Sequence, residues 1–275
     1  MYYVLFIEMK ELYEHALATQ WLPKQVTYTK HSGSQKLAVI VDPRYDDLML
    51  SVIKNFIAYL NPLGWNFLVV SHASHKEQVH ADLPGVAFMA IDGAFLDDGY
   101  KPNMSIDSYN KIMMDPQFWT AMPAEHVLVF QTDCYMFKMF NELKYLPYDF
   151  VGANWFSLYD TAFFAGGVNG GCSLRRRSAM LDCLRFVSWG MIENIRGNQI
   201  VKYKIQGRKA TVAKQNEDVF YTSACEILHK KMVSIEERSK FAIECKFDAD
   251  ACFYHGWNKG YQSETQARQI LGQFA

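Results

Sequence analysis

The sequence has no surplus of one charge and no long apolar run. Its 28 Lys and Arg residues nearly balance 29 Asp and Glu residues, leaving a formal net charge of −1. A chain with so little net charge is not drawn as a whole to nucleic acid or anionic lipid, so we expect no nucleic-acid partner. Because no stretch of about 20 consecutive apolar residues exists to span a bilayer, we expect no transmembrane segment.

The N-terminus lacks the parts of a secretory signal. Its short apolar patch has no basic region before it and no small-residue cleavage site after it. The six cysteines form no CxxC pair, so they indicate buried reduced thiols and not a metal-binding knuckle. We therefore expect a soluble cytoplasmic protein without a signal peptide.

An alternation of strands and helices fills most of the chain. Strands are predicted at Leu37–Val41, Trp65–Ser71 and Val86–Ile91, with a helix at Leu48–Leu60 between the first two. This order predicts βαβ units and therefore an α/β fold with a mostly parallel central sheet flanked by helices. Further elements are predicted downstream: helices at Ile106–Met114, Ser178–Trp189 and Glu217–His229, strands at Phe150–Ala153, Cys172–Leu174 and Phe241–Ile243, a glycine-rich loop at Phe163–Gly171, and a less regular polar region at Asn194–Gln215.

Residues 1–35 precede the first strand. A possible amphipathic helix at Ile7–Leu17 and a polar linker at Lys30–Gln35 indicate an N-terminal extension. We expect this extension to pack on a single domain formed by residues 36–275.

The stretch Val127–Cys134, VLVFQTDC, predicts a strand buried on both faces that ends on an acid. In open α/β sheets, ligands bind just past the carboxyl ends of the strands, so Asp133 lies where such a sheet does its chemistry. The alternative is that Asp133 only caps a following helix, whose apolar stretch begins near Met136.

A second stretch holds four glycines in the six residues Gly166–Gly171. Glycine lets a ligand approach the backbone closely, although a tight turn before the next helix explains the same pattern. The stretch lacks the lysine and the spacing of a phosphate-binding loop.

Acidic residues and a late histidine complete the candidates. Asn216-Glu217-Asp218 stands at a predicted helix start, where a cap and acidic residues favour the helix and where one carboxylate can also serve as a general base. His255 is either structural or a metal ligand, the latter only if it folds back near Asp133.

Together these motifs resemble the GT-A type of glycosyltransferase, and most closely a glycosyltransferase-like family whose function is not defined. The motifs that carry the resemblance are VIVDPR, SYNKIMMDPQFW, VLVFQTDC, YDFVGANW, GGVNGGCSLR, NEDVFY, FAIE and HGW, which span roughly Lys36 to Trp257. The resemblance implies a Rossmann-like GT-A domain over residues 36–275. It also implies transfer of a hexose or pentose from a nucleotide-sugar donor, with UDP-sugars expected first, to an acceptor hydroxyl on a glycan or glycoconjugate.

The resemblance also implies roles for individual residues. Asp218 is expected to be the general base of an inverting reaction, with Glu217 as the second acid. Asp133 and His255 are the expected ligands of Mn²⁺ or Mg²⁺. The expected donor-binding residues are Asp42, Arg44, Tyr109, Asn110, Gln131, Thr132, Asp133, Trp155, Asn169, Gly170 and Gly171.

Two alternatives remain open at this point. GT-A enzymes hold the metal and the donor diphosphate with a motif that has two acids, whereas Gln131-Thr132-Asp133 has one. Since one carboxylate is a sparse site for a hard cation, a metal-independent enzyme is an alternative. A non-catalytic nucleotide- or carbohydrate-binding module on the same fold is the second. A nucleotide-dependent hydrolase of another α/β class fits less well, because the sequence has no GxSxG and no HExxH.

Overall fold

A computed structural model describes seven ranges of the chain: residues 25–91, 105–154, 167–196, 203–205, 208–210, 216–244 and 248–256. The predicted helix at Ile7–Leu17 and the donor-binding candidate Trp155 lie outside these ranges, as does Trp257 of the HGW motif.

A six-stranded sheet forms the centre of the described residues. Its strands are β1 (Lys36–Val41), β2 (Asn66–Ser71), β3 (Ala87–Ala90), β4 (His126–Phe130), β6 (Phe150–Asn154) and β7 (Val168–Arg176), in the spatial order β3-β2-β1-β4-β7-β6. The first four run parallel, while β7 is antiparallel to both β4 and β6. The sheet is therefore mostly parallel, as predicted. Within it, β7 is the strand that runs in the opposite direction.

A smaller sheet pairs the last described strand with the strand that follows β4. It contains β5 (Cys134–Met136), β10 (Ala242–Ile243) and β11 (Phe253–His255), in the order β10-β11-β5. A separate hairpin pairs β8 (Tyr203–Ile205) with β9 (Arg208–Ala210).

Helices cover both faces of the large sheet. They are α1 (Asp47–Leu60), α2 (Lys76–Asp82), α3 (Ile106–Met113), α4 (Pro116–Ala121), α5 (Glu142–Tyr145), α6 (Arg177–Phe186), α7 (Trp189–Arg196), α8 (Glu217–Ile227) and α9 (Ile235–Phe241). Within the described ranges no helix combines the length and the apolar character that a membrane crossing needs.

The strands β1, β2 and β4 are mainly apolar runs because each face of the sheet is buried in its own core. Val127 and Val129 of β4 point into a core shared with α3, α4 and α6–α8. Leu128 and Phe130 point into the other core, where Phe130 stacks on Phe56 of α1 with ring centroids 4.0 Å apart. Alternate residues of a strand face opposite sides, so a strand between two apolar cores has apolar residues at successive positions.

Several sequence predictions need correction. The strand predicted over Val127–Cys134 ends at Phe130, and Cys134 belongs to β5 instead. A strand and not a helix follows Asp133, so the alternative that Asp133 only caps a helix is wrong. The predicted glycine-rich loop is in its described part the start of β7, because Asn169–Gly171 extend the ladder beyond Cys172. The helix predicted at Ser178–Trp189 is α6, which ends earlier, at Phe186, and a second helix, α7, begins at Trp189.

The described part of the N-terminal segment, residues 25–35, lies against the edge of α1 and β2. The Tyr28 hydroxyl donates to Asn66 Oδ1 (3.2 Å), and the His31 backbone N–H donates to the same oxygen (2.8 Å). The Asn61 side chain is hydrogen-bonded to the backbone of Thr29 in both directions. Packing of residues 1–24 on the domain stays a prediction.

Candidate functional site

A cleft of about 490 Å³ opens at the carboxyl ends of β1 and β4. This central cleft is where a parallel sheet is expected to bind ligands. Twelve of the predicted site residues line it: Asp42, Arg44, Tyr109, Asn110, Gln131, Thr132, Asp133, Asn169, Gly171, Glu217, Asp218 and His255. Residues separated by more than 200 positions in the chain therefore meet in one cavity.

Asp42 and Arg44 stand at the end of β1 and are paired with each other. Arg44 Nε and Nη2 donate to Asp42 Oδ1 and Oδ2 at 2.9 and 2.6 Å, and the Arg44 backbone N–H donates to Oδ1 at 2.9 Å. The hydrogen bonds that Arg44 donates to the Asp42 carboxylate raise the pKa of Arg44. Arg44 Nη2 also lies 3.5 Å from Thr132 Oγ1, and its side chain is 42% exposed. The cleft thus has a preoriented, solvent-accessible guanidinium at this end.

A strand pairing carries His255 to Asp133. In the antiparallel ladder of β5 with β11, His255 lies opposite Cys134, and the Gly256 backbone N–H donates to the Asp133 carbonyl at 3.0 Å. Gly256 has a φ of 72°, a conformation that side chains disfavour. The strand β11 ends at His255, whose buried imidazole lines the cleft.

The atoms of this corner are close enough to hold a cation. His255 Nε2 lies 3.5 Å from Asp133 Oδ1 and 3.3 Å from Gln131 Oε1. Adjacent ligands of a divalent cation with bonds near 2.1 Å are separated by about 3 Å. Small side-chain movements would therefore bring these donors to coordinating positions.

Asp133, Cys134 and His255 form a possible metal-binding group, with ligand atoms within 4.8 Å of one another. The Cys134 thiol already donates to the Gly171 carbonyl at 3.3 Å, and burial raises its pKa. A carboxylate oxygen and an imidazole nitrogen remain as the donors, which suits Mn²⁺ better than Mg²⁺ because magnesium prefers oxygen ligands alone.

The glycines of β7 are required by neighbouring side chains. A Cβ on Gly171 would lie 2.2 Å from His255 Nε2, and a Cβ on Gly170 would lie 2.0 Å from Glu217 Oε1. Their N–H groups are also engaged, because Gly171 donates to Asn169 Oδ1 at 2.8 Å and Gly170 donates to Asp218 Oδ2 at 3.3 Å. The glycines therefore allow the side chains of Glu217 and His255 to lie close to the backbone of β7.

Glu217 is bound by a buried arginine that was not among the predicted site residues. Arg175 Nη1 and Nη2 donate to the two Glu217 carboxylate oxygens at 2.7 and 3.0 Å, and both side chains are almost fully buried. Arg175 also donates to Ser173 Oγ and to the Gly170 carbonyl. The aromatic rings of Trp119, Phe150 and Tyr221 lie around its guanidinium, with centroids 5.1 to 5.7 Å away. Such bidentate pairing leaves Glu217 little capacity to accept a proton from a substrate.

Asp218 is the next residue and has a different environment. Its carboxylate accepts from the backbone N–H groups of Gly170 and Val219, and it lines the cleft. Burial raises the pKa of Asp218 well above its usual range, and the neighbouring Glu217 carboxylate adds to this rise. A carboxylate with a raised pKa binds a proton more strongly, which suits a general base.

Asn110 and Tyr109 of α3 support this wall of the cleft. Asn110 Oδ1 accepts from the Glu217 backbone N–H at 3.1 Å, and Asn110 Nδ2 donates to Asn216 Oδ1 at 3.3 Å. Asn110 therefore caps the start of α8. The Tyr109 hydroxyl is buried, which raises its pKa.

Four lining residues of the cleft were not among the predicted site residues: Val41, Ser105, Ile106 and Asn216. Glu244 and Arg175 contact its lining residues from behind. One signal in the sequence points to Arg175. If Gly171–Arg175 is a β-strand, residues 171, 173 and 175 face the same side of the sheet, which places Arg175 on the face of Gly171 and Ser173.

Comparisons with known proteins agree with this architecture. A family profile described as "Protein of unknown function (DUF5672)" matches residues 92–257, more than half of the chain. The protein belongs to the DUF5672 family. The matched region includes α3, β4, the glycines of β7, the start of α8 and His255. A search of curated proteins finds no match.

Solved structures of glycosyltransferases are similar to this DUF5672 protein in fold. Mouse xyloside xylosyltransferase 1, in its apo form, is 12% identical, with 81% of this chain and 97% of that chain covered and a TM-score of 0.51. An active-site mutant of LgtC is 13% identical, with coverages of 86% and 95% and a TM-score of 0.50. LgtC itself, described as a galactosyltransferase in complex with donor and acceptor sugar analogs, is 12% identical, with the same coverages and a TM-score of 0.49.

At such low identity these likenesses show the fold alone. The xylosyltransferase and the LgtC mutant, with TM-scores of 0.51 and 0.50, confirm the predicted α/β architecture of GT-A type, with its mostly parallel sheet and flanking helices.

Proposed function

We propose that this DUF5672 protein is a glycosyltransferase that moves a hexose or pentose from a nucleotide-sugar donor to an acceptor hydroxyl on a glycan or glycoconjugate. UDP-sugars are the first donors to test. The observation that carries the proposal is that Asp218, a carboxylate with a raised pKa, shares one cleft with Asp133, His255 and Arg44 on a GT-A fold.

In the proposed reaction Asp218 acts as the base of an inverting transfer. The acceptor oxygen attacks the anomeric carbon while its proton passes to an Asp218 carboxylate oxygen. The bond from that carbon to the diphosphate breaks, and its electron pair leaves with the diphosphate. Backbone donation from Gly170 fixes the carboxylate at the cleft wall, so that the base is oriented before the acceptor arrives.

Arg44 is proposed to bind the donor diphosphate. Its guanidinium is half exposed and is oriented by Asp42 from one side, which leaves further donors for phosphate oxygens. Thr132, Gln131, Tyr109 and Asn169 line the same space and are proposed to contact the donor. Asp42 is proposed to act through Arg44, because both its oxygens already accept from that side chain.

Asp133 and His255 are proposed to hold a divalent cation, with Mn²⁺ expected before Mg²⁺. When bound, such an ion would neutralise charge that develops on the leaving diphosphate. The close approach of the Asp133 carboxylate and the His255 imidazole, with Gln131 beside them, supports this assignment.

Glu217 is proposed to have no proton-transfer role. Its carboxylate is paired with Arg175, and its backbone N–H is capped by Asn110. We therefore assign Glu217 to holding the start of α8, so that Asp218 is the only proposed base of the acidic pair.

A binding module without catalysis is the second candidate, since Asp133 is the one carboxylate of the turn after β4. Thermal shift with UDP, GDP and a panel of their sugars, each with and without Mn²⁺, followed by product analysis, separates the two. A bound donor with transfer to an acceptor or slow hydrolysis supports the enzyme, because ligands specific for the native state raise its melting temperature. Binding without turnover across the whole panel would support the module, and no binding at all would contradict both.

A further inference from the structure

The strand β7 contains a bulge where it lines the central cleft. In its antiparallel ladder with β6, Ser173 lies opposite Gly152 and Val168 lies opposite Asn154. From one pair to the other β6 advances by two residues and β7 by five, so β7 has surplus residues in between. Bulges displace the backbone from a regular ladder and often re-aim groups next to active sites. This β7 bulge, residues 169–172, therefore needs further contacts to fix its shape.

Two side chains of the same strand hold the bulge at Gly170. Ser173 Oγ donates to the Gly170 carbonyl at 2.8 Å, and Arg175 Nη2 donates to the same carbonyl at 3.0 Å. Arg175 Nε also donates to Ser173 Oγ at 2.8 Å, so the two side chains orient each other. Both are fully buried, where water does not compete for these hydrogen bonds. Arg175 therefore holds the Gly170 carbonyl both directly and through Ser173.

The backbone N–H of Gly170 faces the proposed base. It donates to Asp218 Oδ2 at 3.3 Å, while the Val219 backbone N–H donates to Oδ1 at 2.8 Å. Arg175 also holds the residue before Asp218, through its two hydrogen bonds to the Glu217 carboxylate. One guanidinium thus joins the strand that supplies the N–H donor to the helix start that carries the carboxylate.

We propose that Arg175 is a positioning residue for Asp218, because it holds the Gly170 N–H and the start of α8 at the separation at which that N–H binds the Asp218 carboxylate. The inference deepens the proposed function and rests on it, since Asp218 is the proposed base. A donor fixed on one carboxylate oxygen keeps the carboxylate in one orientation. Such orientation before the acceptor arrives is what efficient proton transfer requires.

The alternative is that Arg175 only stabilises the fold by its pairing with Glu217. Replacement of Arg175 would then lower stability but leave the hydrogen bond between Gly170 and Asp218 intact in the folded protein. Glu217 of the same helix and Arg175 of β7 are the charged side chains that act most strongly on Asp218. Variants that keep both charges and lose the contacts to the bulge therefore separate positioning from electrostatic effects.

Two variants meet this requirement. Arg175→Lys retains a cation beside Glu217, but it has one nitrogen in place of the three with which Arg175 donates. Ser173→Ala leaves Arg175 unchanged and removes the hydroxyl that joins it to the Gly170 carbonyl. Arg185→Lys is the matched control, because Arg185 is exposed on α6.

The measurement follows a single backbone amide by NMR. The chain contains one Asn-Gly step, Asn169-Gly170, so carbon-13 at the Asn carbonyl and nitrogen-15 in Gly select the Gly170 amide alone. Its proton shift reports the hydrogen bond to Asp218, because an N–H that donates to a carboxylate responds when that carboxylate is protonated. Spectra between about pH 4 and pH 9 give the size and the midpoint of the response. Asp218→Asn shows which part of the response comes from Asp218.

In the wild type and in Arg185→Lys we expect the Gly170 amide to titrate with Asp218. This titration should disappear in Asp218→Asn. In Arg175→Lys and Ser173→Ala the response should shrink, and its midpoint should move to higher pH, because loss of a donor to the ionised carboxylate raises its pKa. Exchange of the Gly170 amide hydrogen should become about 5- to 10-fold faster in both variants, as expected for the loss of one hydrogen bond.

Equal titration of the Gly170 amide in the wild type and in both variants would overturn the role of Arg175, even if their melting temperatures fall. A wild-type titration that persists in Asp218→Asn would overturn it as well. If Arg175→Lys does not fold, Ser173→Ala decides by the same spectra. None of these measurements needs a donor, an acceptor or a metal ion. Absence of sugar transfer would therefore contradict the proposed function alone, so the two can fail separately.

Discussion

Two walls of the central cleft carry carboxylates, and they differ in the group that faces the charge. On the first, here called the arginine wall, Glu217 of α8 is held by Arg175 of β7 through two hydrogen bonds in a buried environment. On the second, the histidine wall, Asp133 faces the imidazole of His255 at 3.5 Å. A carboxylate held by two hydrogen bonds from an arginine stabilises the fold, whereas one that faces an imidazole keeps its capacity for a cation.

The difference also separates two adjacent residues on the arginine wall. Glu217 and Asp218 are both acidic and both lie in the first turn of α8. Glu217 points to Arg175, while Asp218 accepts only backbone N–H groups among the hydrogen bonds described for it and reaches the cleft. The pair therefore divides into a structural acid and a candidate base.

The largest expected effect is the loss of stability when the guanidinium of Arg175 is removed from the arginine wall. Arg175→Met leaves the buried Glu217 carboxylate without its partner, and the free energy of unfolding should fall by about 3–5 kcal/mol. Urea denaturation measures it. Arg185→Met, at an exposed position of α6, is the control and should change stability by less than about 0.5 kcal/mol. Equal stability of the two variants would contradict the structural role of the buried pair.

The next effect concerns turnover on the same wall. Asp218→Asn removes the proposed base and should lower kcat by about 10²- to 10⁴-fold once a donor is found. Donor binding, measured by calorimetry, should stay close to that of the wild type. Asp182→Asn on α6, whose partner is Lys230, is the control. Near-normal turnover of Asp218→Asn would exclude Asp218 as the base.

On the histidine wall a single methyl group should displace the imidazole. Gly171→Ala places a Cβ within 2.2 Å of His255 Nε2, and overpacking of this kind lowers stability by about 1–3 kcal/mol. Mn²⁺ affinity should fall with it. Gly190→Ala on α7 is the matched control, because its new Cβ meets only Ser188 Oγ at 3.8 Å. If both alanine variants bind Mn²⁺ like the wild type, the close packing at Gly171 does not matter for the site.

The smallest effect is a dependence of stability on pH. The folded state raises the pKa of Asp218, so the ionised carboxylate lowers stability at pH values above the ordinary pKa of aspartate. Asp218→Asn should therefore be more stable than the wild type at neutral pH. The gap should close as the pH falls and Asp218 becomes protonated in the wild type. Melting temperatures of both proteins between about pH 4 and pH 8 test this, and a gap that widens on acidification would contradict it.

The elements of the sheet could be predicted where local pattern alone decides them. The apolar runs of β1, β2 and β4 and the helical spacing of α1 specify both their type and their approximate bounds. The same pattern did not show that β4 ends at Phe130. Cys134 follows a turn and begins the short strand β5, and the sequence does not distinguish this from one continuous strand. At Asn169–Gly171 the glycines indicated a loop, although close neighbours require them within β7.

Most of the candidate residues were also recognisable from sequence, as acids and glycines near the ends of predicted elements and from the family resemblance. Their partners were not. Arg175 lies 42 residues from Glu217, and His255 lies 124 residues from Gln131. No local periodicity connects positions so far apart.

By itself, the sequence determined the α/β class, the main strands and helices, and which residue types stand at the strand ends, because these follow from side-chain periodicity and turn chemistry. Only the tertiary structure decided which carboxylate faces the Arg175 guanidinium and which faces the His255 imidazole. The pairing of β4 with β7 sets Arg175 behind Glu217, and the pairing of β5 with β11 sets His255 beside Asp133. Burial and charge at Glu217, Asp218 and Asp133 are properties of these pairings, and so they divide three similar acids into three different environments.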